Sequence, residues 1–195
     1  MAKGNSFKLL FVAILTAFLS LPITAQAQEN SMSDAYNLLE AVKKKDYGKL
    51  QRYLSKGANV NTRDYDDGQT PLYYATNHKD TLMVTLILAE NANPNIARRS
   101  TGETPLMVAI RLRAKEIVGI LISQKADVNI ADRSGETALY KAVRAKDRDS
   151  VKVLLDSQAD WSMADNTGRT PLDLAREDRR LRSMVRVLEG AGVEY

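Results

Sequence analysis

Gly102-Glu103-Thr104-Pro105-Leu106 is the stretch that decides the fold, because close copies of it return at a nearly fixed interval. Gly68-Gln69-Thr70-Pro71-Leu72 precedes it. Gly135-Glu136-Thr137-Ala138-Leu139 and Gly168-Arg169-Thr170-Pro171-Leu172 follow, so the steps are 34, 33 and 33 residues. A second motif keeps the same register: Gly57-Ala58-Asn59-Val60-Asn61, Ala92-Asn93-Pro94-Asn95, Ala126-Asp127-Val128-Asn129 and Ala159-Asp160-Trp161-Ser162. A period of this size marks stacked supersecondary units, each too small to bury its apolar side without a neighbour.

Each unit reads as two short helices. The threonine is placed to cap the first helix by accepting from an otherwise unpaired early amide. Proline follows at the first helical position, where the missing N–H costs nothing. The second helices show apolar sets at helical spacing: Met83, Val84, Ile87 and Leu88; Ile117, Val118, Leu121 and Ile122; Val151, Leu154 and Leu155. Units are assigned at 33–66, 67–100, 101–133, 134–166 and 167–195. The first lacks the Thr-Pro-Leu opening but keeps Leu38, Leu39, Ala41, Val42, Leu50, Tyr53 and Leu54, with Ser33 as its expected N-cap. Lys43, Lys44, Lys45, Lys49, Arg52 and Lys56 give it the polar outer face that a terminal unit needs. The fifth keeps Met184, Val187 and Leu188 and closes the other end. One-residue insertions lengthen two fingers, near Tyr65-Asp66 and at Arg99-Ser100-Thr101.

On these motifs the chain resembles the ankyrin-repeat family from about Ser33 onward. The resemblance implies an all-α solenoid of five helix-turn-helix units with short β-hairpin fingers. Two features depart from the family pattern. Where the family places glycine between the helices, this chain has Lys45, Lys79, Arg113, Lys146 and Arg179, so a strained or modified turn is expected. Where the family places histidine after Thr-Pro-Leu, Tyr73, Met107, Tyr140 and Asp173 stand, and Asp173 offers an acceptor for Thr170.

Residues 1–27 read as a cleaved secretory leader. Lys3 and Lys8 are followed by a thirteen-residue apolar run from Leu9 to Leu21, then Pro22 and Ala25-Gln26-Ala27, with cleavage expected after Ala27. The run falls short of the ~20 residues that span a bilayer, so stable membrane insertion is not expected. Residues 28–32 read as a short polar tail. Loss of the leader removes two lysines and no acids and lowers the formal charge from +4 to +2, which does not call for nucleic acid. Cysteine is absent, which excludes disulfides and thiolate metal sites. A periplasmic location is expected, with release into the medium as the alternative.

Catalysis finds little support. The single histidine, His78, has no partner suggested by spacing, so a hydrolase built on it is a remote reading. His78 with Asp80 or Asp67 lacks the usual ligand count for a metal. No phosphate-cradling glycine loop is present, and no cofactor is called for. The expected role is non-catalytic binding of another protein by a monomer. What the resemblance implies is an enzyme-protecting or toxin-neutralising role, or else a secreted effector acting on a host protein.

The resemblance further implies that finger tips and the ends of first helices line a concave groove. Carried over unit by unit, this gives Tyr65, Asp67, Gln69, Tyr74, Asn77 and His78; then Glu103, Arg111 and Leu112; then Arg133, Glu136 and Arg144; and last Arg169. Tyrosine and arginine suit such a surface because they bury large area with a polar handle. Leu112 stands where the family is usually polar. The column of Lys45, Lys79, Arg113, Lys146 and Arg179 has two readings: cations favoured by helix C-terminal dipoles, or a contact for an acidic protein or anionic head groups.

Overall fold

The structure, a computed structural model, describes residues 23–192, so residues 1–22 of the leader assigned to residues 1–27 lie outside the described residues. Among the described residues ten α-helices and one 3-10 turn follow one another. They are α1 (Ile23–Lys43), α2 (Tyr47–Ser55), α3 (Pro71–Asn77), α4 (Thr81–Ala89), α5 (Pro105–Arg111), α6 (Lys115–Ser123), α7 (Ala138–Arg144), α8 (Arg148–Asp156), α9 (Pro171–Glu177) and α10 (Arg182–Gly190), with the 3-10 turn at Arg179–Leu181 before α10. None of these helices is long and apolar enough to cross a membrane.

The helices form two layers. Helices α1, α3, α5, α7 and α9 pack side by side as the inner layer, and α4, α6, α8 and α10 pack as the outer layer. The core between them is continuous from Leu38 to Leu188. Leu72, Leu106, Leu139 and Leu172 of the repeated motif are all buried, as are Ala75, Ala109, Ala142 and Ala175, whose small side chains let inner helices approach. Ile122 and Leu155 are only half-buried, at the outer margin.

Capping follows the sequence closely. Thr70, Thr104, Thr137 and Thr170 accept from the amides of Tyr73, Met107, Tyr140 and Asp173 at 3.2–3.4 Å. Asp173 returns the favour to the Thr170 amide at 3.0 Å and completes a capping box. Outer helices are capped by aspartate: Asp46, Asp80 and Asp147 accept from Lys49, Met83 and Ser150. In α6 the same place is held by Ala114, which has no side chain to offer. Ala114→Asp is therefore expected to stabilise the protein by about 1 kcal/mol, read as a shift of the urea midpoint at unchanged slope.

The second motif is a clasp between units. Asn59, Asn93, Asp127 and Asp160 each accept from the amide two residues on. Asn61, Asn95 and Asn129 instead reach forward and accept from Asn93, Asp127 and Asp160 of the next unit at 2.7–2.8 Å. At the last copy Ser162 turns back to its own Asp160. Trp161 is half-buried against the core, as its place between loops suggests.

Four expectations are corrected. Residues 28–32 and Ser33 lie inside α1, so they are neither a tail nor an N-cap, since the chain is already helical upstream of them. The fingers are turns with a single bridge, Ala131 to Thr137, rather than regular hairpins. Each is closed by one backbone bond at its base and joined to its neighbour by others, such as Arg99 to Asp67 and Arg133 to Thr101. Gly135 is needed for close approach: it has φ 77° and a Cβ there would meet the Asn166 amide at 2.7 Å. The fourth correction concerns the inter-helix turns. Lys45, Lys79, Arg113 and Lys146 do take positive φ of 54–56°, but Arg179 does not. Asp178 caps the 3-10 turn by accepting from Arg180, which rebuilds the last turn without a left-handed residue. The cationic column therefore has four members in register, not five.

Candidate protein-binding groove

Fingers and inner-helix ends face one another across a cleft of about 630 Å³ between the third and fourth units. Its lining includes Arg98, Arg111, Arg133, Lys141 and Arg144 with Glu103, Asp132 and Glu136. The finger aspartates set its floor. Asp132 Oδ1 accepts from the amides of Ser134 and Glu136 at 2.8 and 3.0 Å, which shapes the finger. Its other oxygen lies 2.6 Å from Lys141 Nζ. Asp64 does the same in the finger before α3, accepting from Asp67 and Gln69 amides and from the Tyr74 hydroxyl. Asp165 does it in the finger before α9, where the Thr167 hydroxyl and then the Tyr140 hydroxyl hold its carboxyl well below the usual range. In the finger before α5 Arg98 replaces the aspartate, donates to Asp67 of the preceding finger and holds the Asp67 carboxyl below its ordinary value.

The tyrosines at the family's histidine position work between units. Tyr140 is buried and donates to Asp165 of the next finger at 2.6 Å; burial first, then that bond, pushes its hydroxyl up to about 12. Tyr73 donates to Glu103 of the next finger at 3.4 Å.

A regular charge pairing lies above this floor. Glu103 pairs with Arg111 through Nε at 3.2 Å, and Glu136 pairs with Arg144 through Nη1. In the fifth unit the same two places hold the opposite signs, Arg169 and Glu177, 3.6 Å apart. In the second they hold Gln69 and Asn77, both uncharged. The carboxylates of Glu103 and Glu136 are nearly enclosed (side chains 11% and 12% exposed), whereas Arg111 and Arg144 are about half exposed (48% and 53%). Acids thus stand behind and guanidinium groups in front.

Of the residues expected in the groove, Arg111, Arg133, Arg144, Glu103 and Glu136 are brought together around this cleft. Asn77 and Tyr65 are exposed, and Arg169 is half-exposed while bonded to Asp165 and Thr167. Tyr65 stands by a smaller hollow of about 400 Å³ beside Tyr36. Gln69 is half-buried and its amide is spent on Asp64. Asp67 and Glu103 are tied to Arg98 and Arg111, and Tyr74 to Asp64 under the Lys43 ammonium, 5.1 Å from its ring. They build the surface rather than stand out from it. Lys141, one turn before Arg144, is buried between Asp132 and Glu136. Leu112 is half-buried as the C-cap of α5 rather than exposed. His78 is likewise half-buried as the C-cap of α3, with its Nε2 enclosed and unpartnered among the described residues. No serine among the described residues bonds to that nitrogen. No group of three or more potential metal ligands occurs among the described residues.

Sequence reasoning did not single out Arg98, Ser100, Asp132 and Ser134, all of which line the cleft. The aspartates could have been found from their spacing, since Asp132 and Asp165 each stand five residues before the capping threonine.

No curated protein matches the chain. Two family models do: ankyrin repeats (3 copies) over residues 38–132, and ankyrin repeats (many copies) over residues 121–175. With capped helix pairs, turn-like fingers and one shared core over the same residues, the chain belongs to the ankyrin-repeat family.

Proposed function

We propose that this protein is a non-catalytic scaffold that holds another protein in the cleft between its fingers and inner helices. The observation that carries this reading is the pair of half-exposed guanidinium groups, Arg111 and Arg144, each held from behind by a nearly enclosed carboxylate. A side chain fixed in this way loses less freedom on binding, and arginine is favoured where interfaces concentrate their energy. The leader-like residues 1–27 place the scaffold in the bacterial periplasm in this reading, where it acts as a monomer on a stress-defence enzyme or a toxin.

A photo-crosslinking residue at Arg133 in the native cell is expected to capture the partner, while one at Leu82, exposed on an outer helix, is not. Arg111→Glu with Arg144→Glu should cut the captured yield about tenfold. Equal capture from both sites would remove the groove from the account. Recovery of the chain in an osmotic-shock fraction checks its location, and recovery from the medium alone would refute the periplasmic reading.

A further inference from the structure

The last residues of the inner helices form one row: Lys43, Asn77, Arg111, Arg144 and Glu177. Lys43 is already engaged, with Glu40 at 3.6 Å and over the Tyr74 ring. Next along the row come Asn77, Arg111, Arg144 and Glu177, reading neutral, positive, positive, negative; Arg111 and Arg144 line the cleft, and Glu177 lies in a separate hollow, 3.6 Å from Arg169 yet 60% exposed. Inner helices packed side by side stand about 10 Å apart, so these charges repeat at about that spacing.

We infer that the groove takes an acidic protein segment bearing two carboxylates about 10 Å apart, facing Arg111 and Arg144, and a cation about 10 Å further on, facing Glu177. This rests on the groove being the binding surface. In a polyproline II segment three residues per turn and about 3.1 Å per residue put every third side chain on one face, about 9 Å apart, giving the pattern acid-x-x-acid-x-x-base. Each arginine gives one nitrogen to its own carboxylate, Nε of Arg111 to Glu103 and Nη1 of Arg144 to Glu136. A guanidinium has five N–H donors in a planar fork, so a second carboxylate can be taken at the free edge without breaking the first pair. Arg133 also spends only its Nε, on the Arg99 carbonyl at 2.9 Å, and stands exposed at the same cleft.

The same features disfavour a nucleic acid. A polyphosphate needs a long run of cations, yet the positive run here ends after two units at Glu177. Glu103, Asp132 and Glu136 behind it repel a dense line of phosphates but tolerate two spaced carboxylates. A charge pattern of mixed sign selects one register of a peptide and penalises the others.

The test uses the full chain, isotope-labelled, and a blocked heptapeptide Glu-x-x-Glu-x-x-Lys with serine at the open places. Titration at low salt should move the backbone and Nε signals of Arg111, Arg144 and Arg133. The analogue with glutamine for both glutamates should bind about tenfold more weakly. Arg111→Glu with Arg144→Glu should abolish the response and, with Glu177 unchanged, create one for Lys-x-x-Lys-x-x-Lys. Equal binding by the glutamine analogue, no shift at these arginines, or tighter binding of an oligothymidylate of the same charge would each overturn the inference. If crosslinking from Arg133 still captures a partner in that case, the groove stands and only its charge preference falls. If it captures none, both fall.

Discussion

Leu106→Ala is expected to lower the unfolding free energy by about 3 kcal/mol, the cost of losing a buried leucine and leaving a void. Leu106 is 1% exposed, in the first turn of α5 at the middle of the stack. Helix α5 packs on α3 at one side and α7 at the other, so the void weakens two seams at once. In a stack whose stability is a sum of unit and neighbour terms, a weak central unit uncouples the ends. Urea unfolding followed by circular dichroism should therefore show an earlier midpoint and a broader or two-step transition. Leu82→Ala, at 58% exposure on an outer helix, should stay within about 0.5 kcal/mol and keep a single transition. A single sharp transition at unchanged midpoint for Leu106→Ala would contradict the shared core.

The second large effect is expected at Asp165. Its carboxylate accepts from the Thr167 amide at 2.8 Å, the Thr167 hydroxyl at 2.5 Å, the Arg169 amide at 3.1 Å and the Tyr140 hydroxyl at 2.6 Å. Asp165→Ala opens the finger and leaves the Tyr140 hydroxyl unpaired inside the protein, for a loss of about 3 kcal/mol. Adding Tyr140→Phe removes that orphaned hydroxyl, so the double variant should be more stable than the sum of the single losses.

The pH dependence follows from the same pair. The folded carboxyl titrates below its unfolded value of about 4, so the folded state binds fewer protons in that range. Its stabilisation is present above about pH 4 and drains away as the pH falls further. Tyr140 acts at the other end: its folded value of about 12 exceeds the unfolded value of about 10, so stability declines between the two as pH rises. Asp165→Asn should flatten the acid limb. An acid limb identical to that of the parent would show that other carboxylates govern it.

The sequence made the threonine caps and the buried leucines legible, because both are local signals repeated in register. Glu103 with Arg111 and Glu136 with Arg144 were harder to see as pairs. Each glutamate lies outside the helix that carries its arginine, so the usual spacing of three or four residues does not connect them. Tyr73 and Tyr140 were noted as departures from histidine, but their bonds run to the following finger, over 30 and 25 residues, and no local pattern contains them. The altered turn at Arg179 escaped for a different reason. Asp178 offered an alternative cap, and the competition between the two turns is decided by backbone geometry, not by residue type. The four basic residues at positive φ between paired helices hold a conformation that glycine takes more cheaply, so packing on both sides overrides local preference there.

The forward-reaching asparagines Asn61, Asn95 and Asn129 have one more consequence. These asparagines fasten one module to the next from the loops after the outer helices, while the charged row sits at the far ends of the inner ones. This fastening and the charged row are thereby written on separate letters of each module. The face can drift from plus to minus, as it already has between Arg144 and Glu177, without loosening the joints, and a whole module copied into the array would arrive with both halves of its own fastening.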